Sequence, residues 1–275
     1  MLVSQPYVRV IALDFSKAFD TVRHSTLLAK LSELSLPDNI YNWITQFLCL
    51  RSHCTKFDSK QSAFADLTAS VVQGSAIGPA AYTILASDLR PITAGNEMVK
   101  FADDTYLIVP ANLSSTIDEE LIHIEKWSTD NNLKLSRTKS YELIFTPRRT
   151  KTTQLPPPLP GVTRVKTLKC LGVTLSTDFS FTDHISDVIA SAAQSLYALN
   201  ILRAHGLQNA LLQTVFNATA LAKLRYSSPA WWGFATSAER DRLEAVLRKA
   251  TRCNFYSKAS SSFELLCDKA DSKLF

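Results

Sequence analysis

"VKFADDTYLIV", residues 99–109, decides how the rest of the chain is read. Seven of the nine residues flanking Asp103 and Asp104 are apolar or aromatic, yet two like charges stand side by side at the centre. A buried ionised carboxylate is costly unless a cation or a set of donors compensates it. The stretch reads as two strands around a tight turn at Asp103-Asp104. Such a turn either points its acids into water or shares metal ions between them.

A second acid raises the same question. "VRVIALDF" (8–15) is a short apolar run rich in β-branched residues, the pattern of a buried central strand, and it ends in Asp14. At a strand end, Asp14 either caps a following helix or joins the chemistry of the other two acids. From Ser16 to Leu34 the spacing of Phe19, Val22, Leu27, Leu28 and Leu31 predicts a helix. Pro37 opens another, carrying Ile40, Ile44, Phe47 and Leu48. Residues 53–72 are polar and alternating, as in a loose hairpin, and "VVQGSAIGPAAYTILASDL" (71–89) is a Gly/Pro turn feeding a helix.

Further along, Ile117, Leu121, Ile124 and Trp127 form one helical stripe over 116–132, with Ser115 as N-cap. "YELIFT" (141–146) and "LKCLGVTL" (168–175) read as strands, separated by the basic, proline-rich "PRRTKTTQLPPPLPG" (147–161), a loop or linker. Helical patterns then follow at 182–205, 208–225 and 237–253, and "PAWWG" (229–233) is apolar enough for core. Strands and helices followed by helices alone predict an α+β unit over 1–181 and a helical unit over 182–275.

Composition narrows the class. With 275 residues, 46% of them hydrophobic and 20% charged, the chain has the make-up of a globular protein, and its net charge of +5 suits a polyanionic partner. No apolar run approaches the roughly 18 residues of a membrane span, so no membrane partner is expected. Five cysteines fit neither a disulfide framework nor a zinc spacing, which predicts reduced thiols in an intracellular setting, nucleus or cytoplasm.

Five stretches in order, "ALDFSKAFDTV" (12–22), "QGSAIGPAAYTI" (73–84), "FADDT" (101–105), "NNLKLSRTKS" (131–140) and "LKCLGVTL" (168–175), resemble successive motifs of reverse transcriptases. They are most similar to those of non-LTR, LINE-type elements of the jockey kind. The resemblance implies a polymerase palm, an antiparallel sheet with packed helices, with partial fingers and then a helical thumb-like region. It implies RNA-directed DNA polymerase activity with an RNA template, a DNA primer and deoxynucleoside triphosphates; protein partners are not indicated. It also implies two Mg²⁺ ions, or Mn²⁺ in their place, held by Asp14, the Phe15 carbonyl, Asp103 and Asp104. Nucleotidyl transfer by paired hard cations is consistent with such an oxygen-ligand set.

By the same resemblance Phe19 is the steric gate against a ribose 2′-hydroxyl. Gln73 and Gly74 pack along the incoming nucleotide, and Lys139 protonates the departing pyrophosphate. Leu171 and Gly172 lie in the primer grip. Two departures stand out: Ser136 replaces a usual asparagine, and Cys170 stands where an aromatic is common. Taken alone, Phe19 equally reads as a core aromatic and Lys139 as a solvated charge. The thumb-like region offers Arg203, Lys223, Arg225, Arg240, Arg242, Arg248, Lys249 and Arg252 as phosphate contacts or as solvated helix faces.

The resemblance further implies a fingers region ahead of the first aspartate strand. Thirteen residues precede Asp14, so the chain reads as N-terminally truncated, with inefficient extension expected from it alone. Two rival readings stand beside the polymerase: a degenerate remnant that binds nucleic acid without catalysis, and another metal-dependent phosphotransferase such as a nuclease. The Gln73-Gly74 turn and the gate position disfavour the nuclease.

Overall fold

A computed structural model describes residues 1, 4–72, 74–147, 155–257 and 259–274. Gln73 and the basic stretch at 148–151 lie outside the described residues. The chain divides into two compact units, Met1–Val165 and Lys166–Phe275. The division falls ahead of "LKCLGVTL", not after it at 181 as the sequence suggested, because that segment packs with the helices that follow it.

In chain order the first unit holds β1 (Val8–Leu13), a short α1 (Ala18–Thr21), α2 (His24–Ser32) and α3 (Asp38–Leu48). Four short strands follow, β2 (Arg51–His53), β3 (Lys56–Phe57), β4 (Lys60–Gln61) and β5 (Ala65–Leu67), β2 pairing with β5 and β3 with β4. Then come α4 (Gly78–Leu85), β6 (Glu97–Phe101), β7 (Asp104–Pro110), α5 (Ile117–Asp130), β8 (Tyr141–Phe145) and β9 (Thr163–Arg164). The main sheet has the order β6-β7-β1-β8-β9, antiparallel except for the β8–β9 pair.

β1 is its central strand, as the β-branched run predicts. Alternation puts Arg9, Ile11 and Leu13 on one buried face, where Leu27, Leu31, Leu85, Leu121 and Ile124 share the same core as Ile11 and Leu13. The helix predicted from Ser16 to Leu34 is broken at Val22–Arg23. There the backbone turns extended and pairs with the chain before α4: Ser70 N–H donates to the Val22 carbonyl at 2.8 Å and His24 N–H to that of Thr68 at 3.1 Å. These non-local bonds outweigh a helical pattern of moderate propensity.

The proline-rich stretch is no free linker. Glu142, wholly buried on β8, pairs with Arg9 Nε at 2.9 Å and with Arg164, whose Nε and Nη2 reach its two oxygens at 3.1 and 3.0 Å. The same arginines donate to the carbonyls of Pro156 and Pro157, so one ion cluster pins residues 156–157 to the sheet, while Leu159 and Val162 enter the core.

The second unit opens with β10 (Thr167–Cys170) and β11 (Val173–Ser176). The sequence reads 168–175 as one strand; the chain instead makes a hairpin turned at Leu171 and Gly172, whose φ values are +46° and +86°. Two consecutive positive φ values match the turn type whose twist suits a hairpin. Tyr226 closes over this turn: its hydroxyl donates to the Leu171 carbonyl at 3.0 Å, and a Cβ on Gly172 would stand 3.0 Å from its ring.

Six helices complete the unit: α6 (Thr182–Ala204), α7 (Asn209–Phe216), α8 (Ala222–Arg225), α9 (Ser228–Trp231), α10 (Ser237–Arg252) and α11 (Phe263–Asp271). A π-helical turn, Asn217–Leu221, joins α7 to α8, and α11 was not foreseen from the sequence. Trp231, Trp232, Phe216, Phe255 and Phe263 fill the core, as expected for "PAWWG". Thr236 starts α10 with a reciprocal capping box to Glu239. Contrary to the sequence expectation, α6 is long and apolar enough to cross a membrane by length and composition. Its Ile185, Val188, Ala192, Leu196 and Leu199 are buried in the core.

Two outcomes follow from these contacts. Glu142→Gln removes the shared anion from two arginines and is expected to lower unfolding stability in urea by about 3–5 kcal/mol. A loss under about 1 kcal/mol, the size of a surface pair, would contradict the buried-cluster account. Gly172→Ala, strained at positive φ and crowded by Tyr226, is expected to speed amide exchange across residues 167–176 by about tenfold or more. Unchanged exchange would count against the turn geometry.

Candidate active site

Asp14 is the first residue beyond β1, and Asp104 is the first residue of β7. These neighbouring strands pair through Leu13↔Thr105, so one more step of the register sets Asp14 across from Asp104. The hairpin turn itself falls one residue earlier than the sequence suggests. Phe101 pairs with Asp104, leaving Ala102 and Asp103 as the two turn residues. Ala102 sits at φ +52°, a left-handed conformation that costs a non-glycine residue about 1–3 kcal/mol. The pairing of Phe101 with Asp104 imposes this conformation, leaving Asp103 in the turn and Asp104 in the strand.

Asp104, exposed at the start of β7, senses the other two acids. Burial, and after it the charges of Asp103 and Asp14, push the Asp104 carboxyl above the usual carboxylate range. Among the described residues no ion pair or side-chain hydrogen bond reaches any of the three carboxylates. Nor do three His, Cys, Asp or Glu side chains stand close enough together there to hold a metal ion as they are.

The Phe15 carbonyl fits an oxygen-ligand set. Phe15 bridges Leu135: Ser16 N–H donates to the Lys134 carbonyl at 2.9 Å and Ser136 N–H to the Asp14 carbonyl at 2.8 Å. Both bonds of this bridge use the residues on either side of Phe15, so its own carbonyl is not engaged with Leu135. All donors offered are hard oxygens, the set that Mg²⁺ and Mn²⁺ prefer.

Lys139 belongs to this end of the sheet through its loop. It closes a 3₁₀ turn, Arg137–Lys139, and its side chain is exposed. The next residue, buried Ser140, accepts a hydrogen bond from Asp14 N–H at 3.2 Å and donates to the Ser136 carbonyl at 2.8 Å. Sequence reasoning missed both serines as anchors of Asp14. Ser136 was noted only as a departure, yet its main chain makes the tie, which needs no particular side chain.

Phe19 lies half-buried on α1 and lines a cleft of about 570 Å³ with Val72, Gly74, Ser75, Ala76 and Pro79. Gly74 has φ +80°, and no atom lies within 4 Å of where its Cβ would stand, so conformation rather than crowding calls for glycine here. Pro79 occupies the first turn of α4 as expected. α4 is held at its other end by two lysines. Lys30 Nζ donates to the Leu85 carbonyl at 2.6 Å, and Lys100 Nζ to the carbonyls of Ala86 and Leu89. Cations at a helix C-terminus answer its unsatisfied carbonyls.

Leu171 and Gly172 belong to the second unit, where Tyr226 holds their turn. Several of the bases proposed for phosphate contact serve that unit's own structure. Arg203 lies over the Phe255 ring, Arg240 over that of Trp232, Lys223 donates to Ser191 and Arg242 to Ser186. Arg248, Lys249 and Arg252 stay exposed on α10.

With this geometry described, comparison with known proteins is specific. Residues 3–175 match the family model "Reverse transcriptase (RNA-dependent DNA polymerase)". A probable RNA-directed DNA polymerase from transposon X-element of Drosophila melanogaster is 26% identical over 265 residues, covering 90% of this chain and 28% of that protein. The RNA-directed DNA polymerase from mobile element jockey of the same fly is 28% identical over 194 residues, covering 64% of this chain and 20% of the relative. The chain therefore spans under a third of either relative. Telomerase from Candida tropicalis, solved with a fragment of telomeric RNA, shares the fold at a TM-score of 0.50 and 12% identity, covering 99% of this chain and 47% of that one. With a family match over residues 3–175 and these relatives, the chain belongs to the reverse transcriptase family, of the jockey-like non-LTR kind.

Proposed function

We propose that this chain is the palm and thumb portion of an RNA-directed DNA polymerase, extending a DNA primer on an RNA template. One observation supports the reading: the strand register sets Asp14 across from Asp104, next to the turn that holds Asp103, and among the described residues no protein cation pairs with these carboxylates. The first unit corresponds to palm with part of the fingers, and the helical unit to the thumb.

Two Mg²⁺ ions, held by these carboxylates and the Phe15 carbonyl, would activate the primer 3′-oxygen and neutralise the triphosphate. Because Mg²⁺ keeps several waters, few protein ligands would suffice. The chain's own residues supply the rest. Asp14 is fixed by its strand, by Ser136 and by Ser140, so positioning costs little at the moment of reaction. Lys139 offers a proton to the departing pyrophosphate. Phe19 stands at the cleft wall against a ribose 2′-hydroxyl, and Gly74 lets the backbone turn beside the incoming nucleotide. In the second unit, Leu171 and Gly172 present the primer-grip turn, while Arg248, Lys249 and Arg252 contact backbone phosphates independently of sequence.

Primer extension on poly(rA)/oligo(dT) with Mg²⁺ tests the reading, using this chain and the same chain behind a complete fingers region. Asp103→Asn is expected to abolish extension by at least about a thousandfold while duplex binding persists. Equal extension by the variant would leave a nucleic-acid-binding remnant as the better account.

A second test needs no turnover. Asp104 binds its proton more tightly folded than unfolded. That contribution to stability is full below the ordinary aspartate pKa of about 3.9 and lost as pH rises through the folded value. Asp104→Asn is therefore expected to raise the urea midpoint at pH 7 in chelator, with the gain vanishing at pH 3. Adding Mg²⁺ should stabilise the wild-type chain more than the variant. A gain that persists at pH 3, or an equal response to Mg²⁺, would remove the electrostatic basis of the site.

A further inference from the structure

We infer that Tyr82 is a positioning residue for sugar selection: its buried ring backs Phe19 and keeps that side chain at the wall of the nucleotide cleft. The inference rests on the polymerase reading above and deepens it.

Phe19 is poorly restrained by its own element. α1 has four residues, follows Lys17 in a left-handed conformation, and is too short for cooperative helix stability. The Phe19 main chain is tied down, its carbonyl accepting from Val71 N–H at 2.9 Å, but its ring is only half-buried. A gate works by steric exclusion, and exclusion requires a ring that does not swing aside. The ring meets Tyr82, with centroids 5.0 Å apart and planes inclined by 32°.

Tyr82 is suited to be that back wall. It is 1% exposed and lies on α4, the helix clamped at its far end by Lys30 and Lys100. Burial, and after it the charge of Asp103, raise its phenol above the ordinary range. One rigid, buried side chain thus touches the gate ring. Removing its ring leaves a void behind Phe19 into which the gate can rock, giving the cleft room for a 2′-hydroxyl.

The readout is the ratio of dATP to ATP incorporated opposite a template uridine, measured for each preparation. An unfolded fraction cancels in such a ratio. Tyr82→Leu is expected to reduce discrimination by about tenfold or more, the scale on which small changes in pocket shape act. Tyr82→Met serves the same purpose if Leu prevents folding. Tyr82→Phe, which keeps the ring and loses the hydroxyl, is expected to retain the wild-type ratio. Where extension is too slow to score, the ratio is read as ATP competing with dATP for binding with Ca²⁺ in place of Mg²⁺.

Phe19→Ala separates the two levels of the argument. If it abolishes discrimination while the ring-less Tyr82 variants keep it, the inference is overturned and the gate stands. If Phe19→Ala leaves discrimination intact, the gate reading fails and takes this inference with it.

Discussion

Six consecutive residue pairs between β1 and β7, from Val8↔Pro110 to Leu13↔Thr105, set where the acids meet. Antiparallel pairing has a period of two, so a slip of one residue would carry every side chain of β1 to the other face and expose Ile11 and Leu13. The apolar face therefore enforces the register, and the register delivers Asp14 to Asp104. β8 repeats the constraint from the other edge through five more pairs, and Ser136 and Ser140 extend it past the last residue of β1. A core that favours one register thus also fixes one geometry for the site.

Electrostatics separate this site from the rest of the unit. Several other acids of the unit, buried or exposed, have donors. Glu142 is shared by two arginines, and Glu120 accepts from the backbone of Ile92 and Thr93 and from Asn96. Burial would push Asp88 upward, but hydrogen bonds from Lys30 and Trp127 outweigh it and hold it below its usual range. Asp104 alone among these is raised, with like charges as neighbours. Such a group among satisfied carboxylates is the pattern on which the proposed site rests. The left-handed Ala102 belongs to the same pattern, because strained backbone persists where surrounding structure over-determines it.

The helical unit shows how a positive surface is divided between structure and binding. Arg203 and Arg240 lie over aromatic rings, where a planar cation adds attraction to packing. Charges used in this way are less available to phosphates. The exposed remainder is concentrated on α10, whose other face supplies Leu243, Val246, Leu247 and Ala250 to the core. Helical periodicity alone thus places apolar residues inside and Arg248, Lys249 and Arg252 outside on the same element.

Sequence by itself determined the class of elements and the residue types of the site. The β-branched run ending in Asp14 and the Asp103-Asp104 pair were legible because burial pattern and adjacent charges leave local marks, whereas Phe19, the Gly74 turn and Lys139 stood out only through the family resemblance. What non-local contacts decide was not legible. The break of the first helix at Val22, the anchoring of the proline-rich stretch by Glu142, and the hairpin at Leu171 all depend on partners far along the chain. Which residue of "FADD" turns and which enters the strand was likewise decided by pairing with Phe101 and Leu13's neighbour Thr105, not by turn propensity. Local sequence can specify that acids exist near strand ends; only the packed sheet brings strand ends together, since the energy of burial belongs to the assembled core.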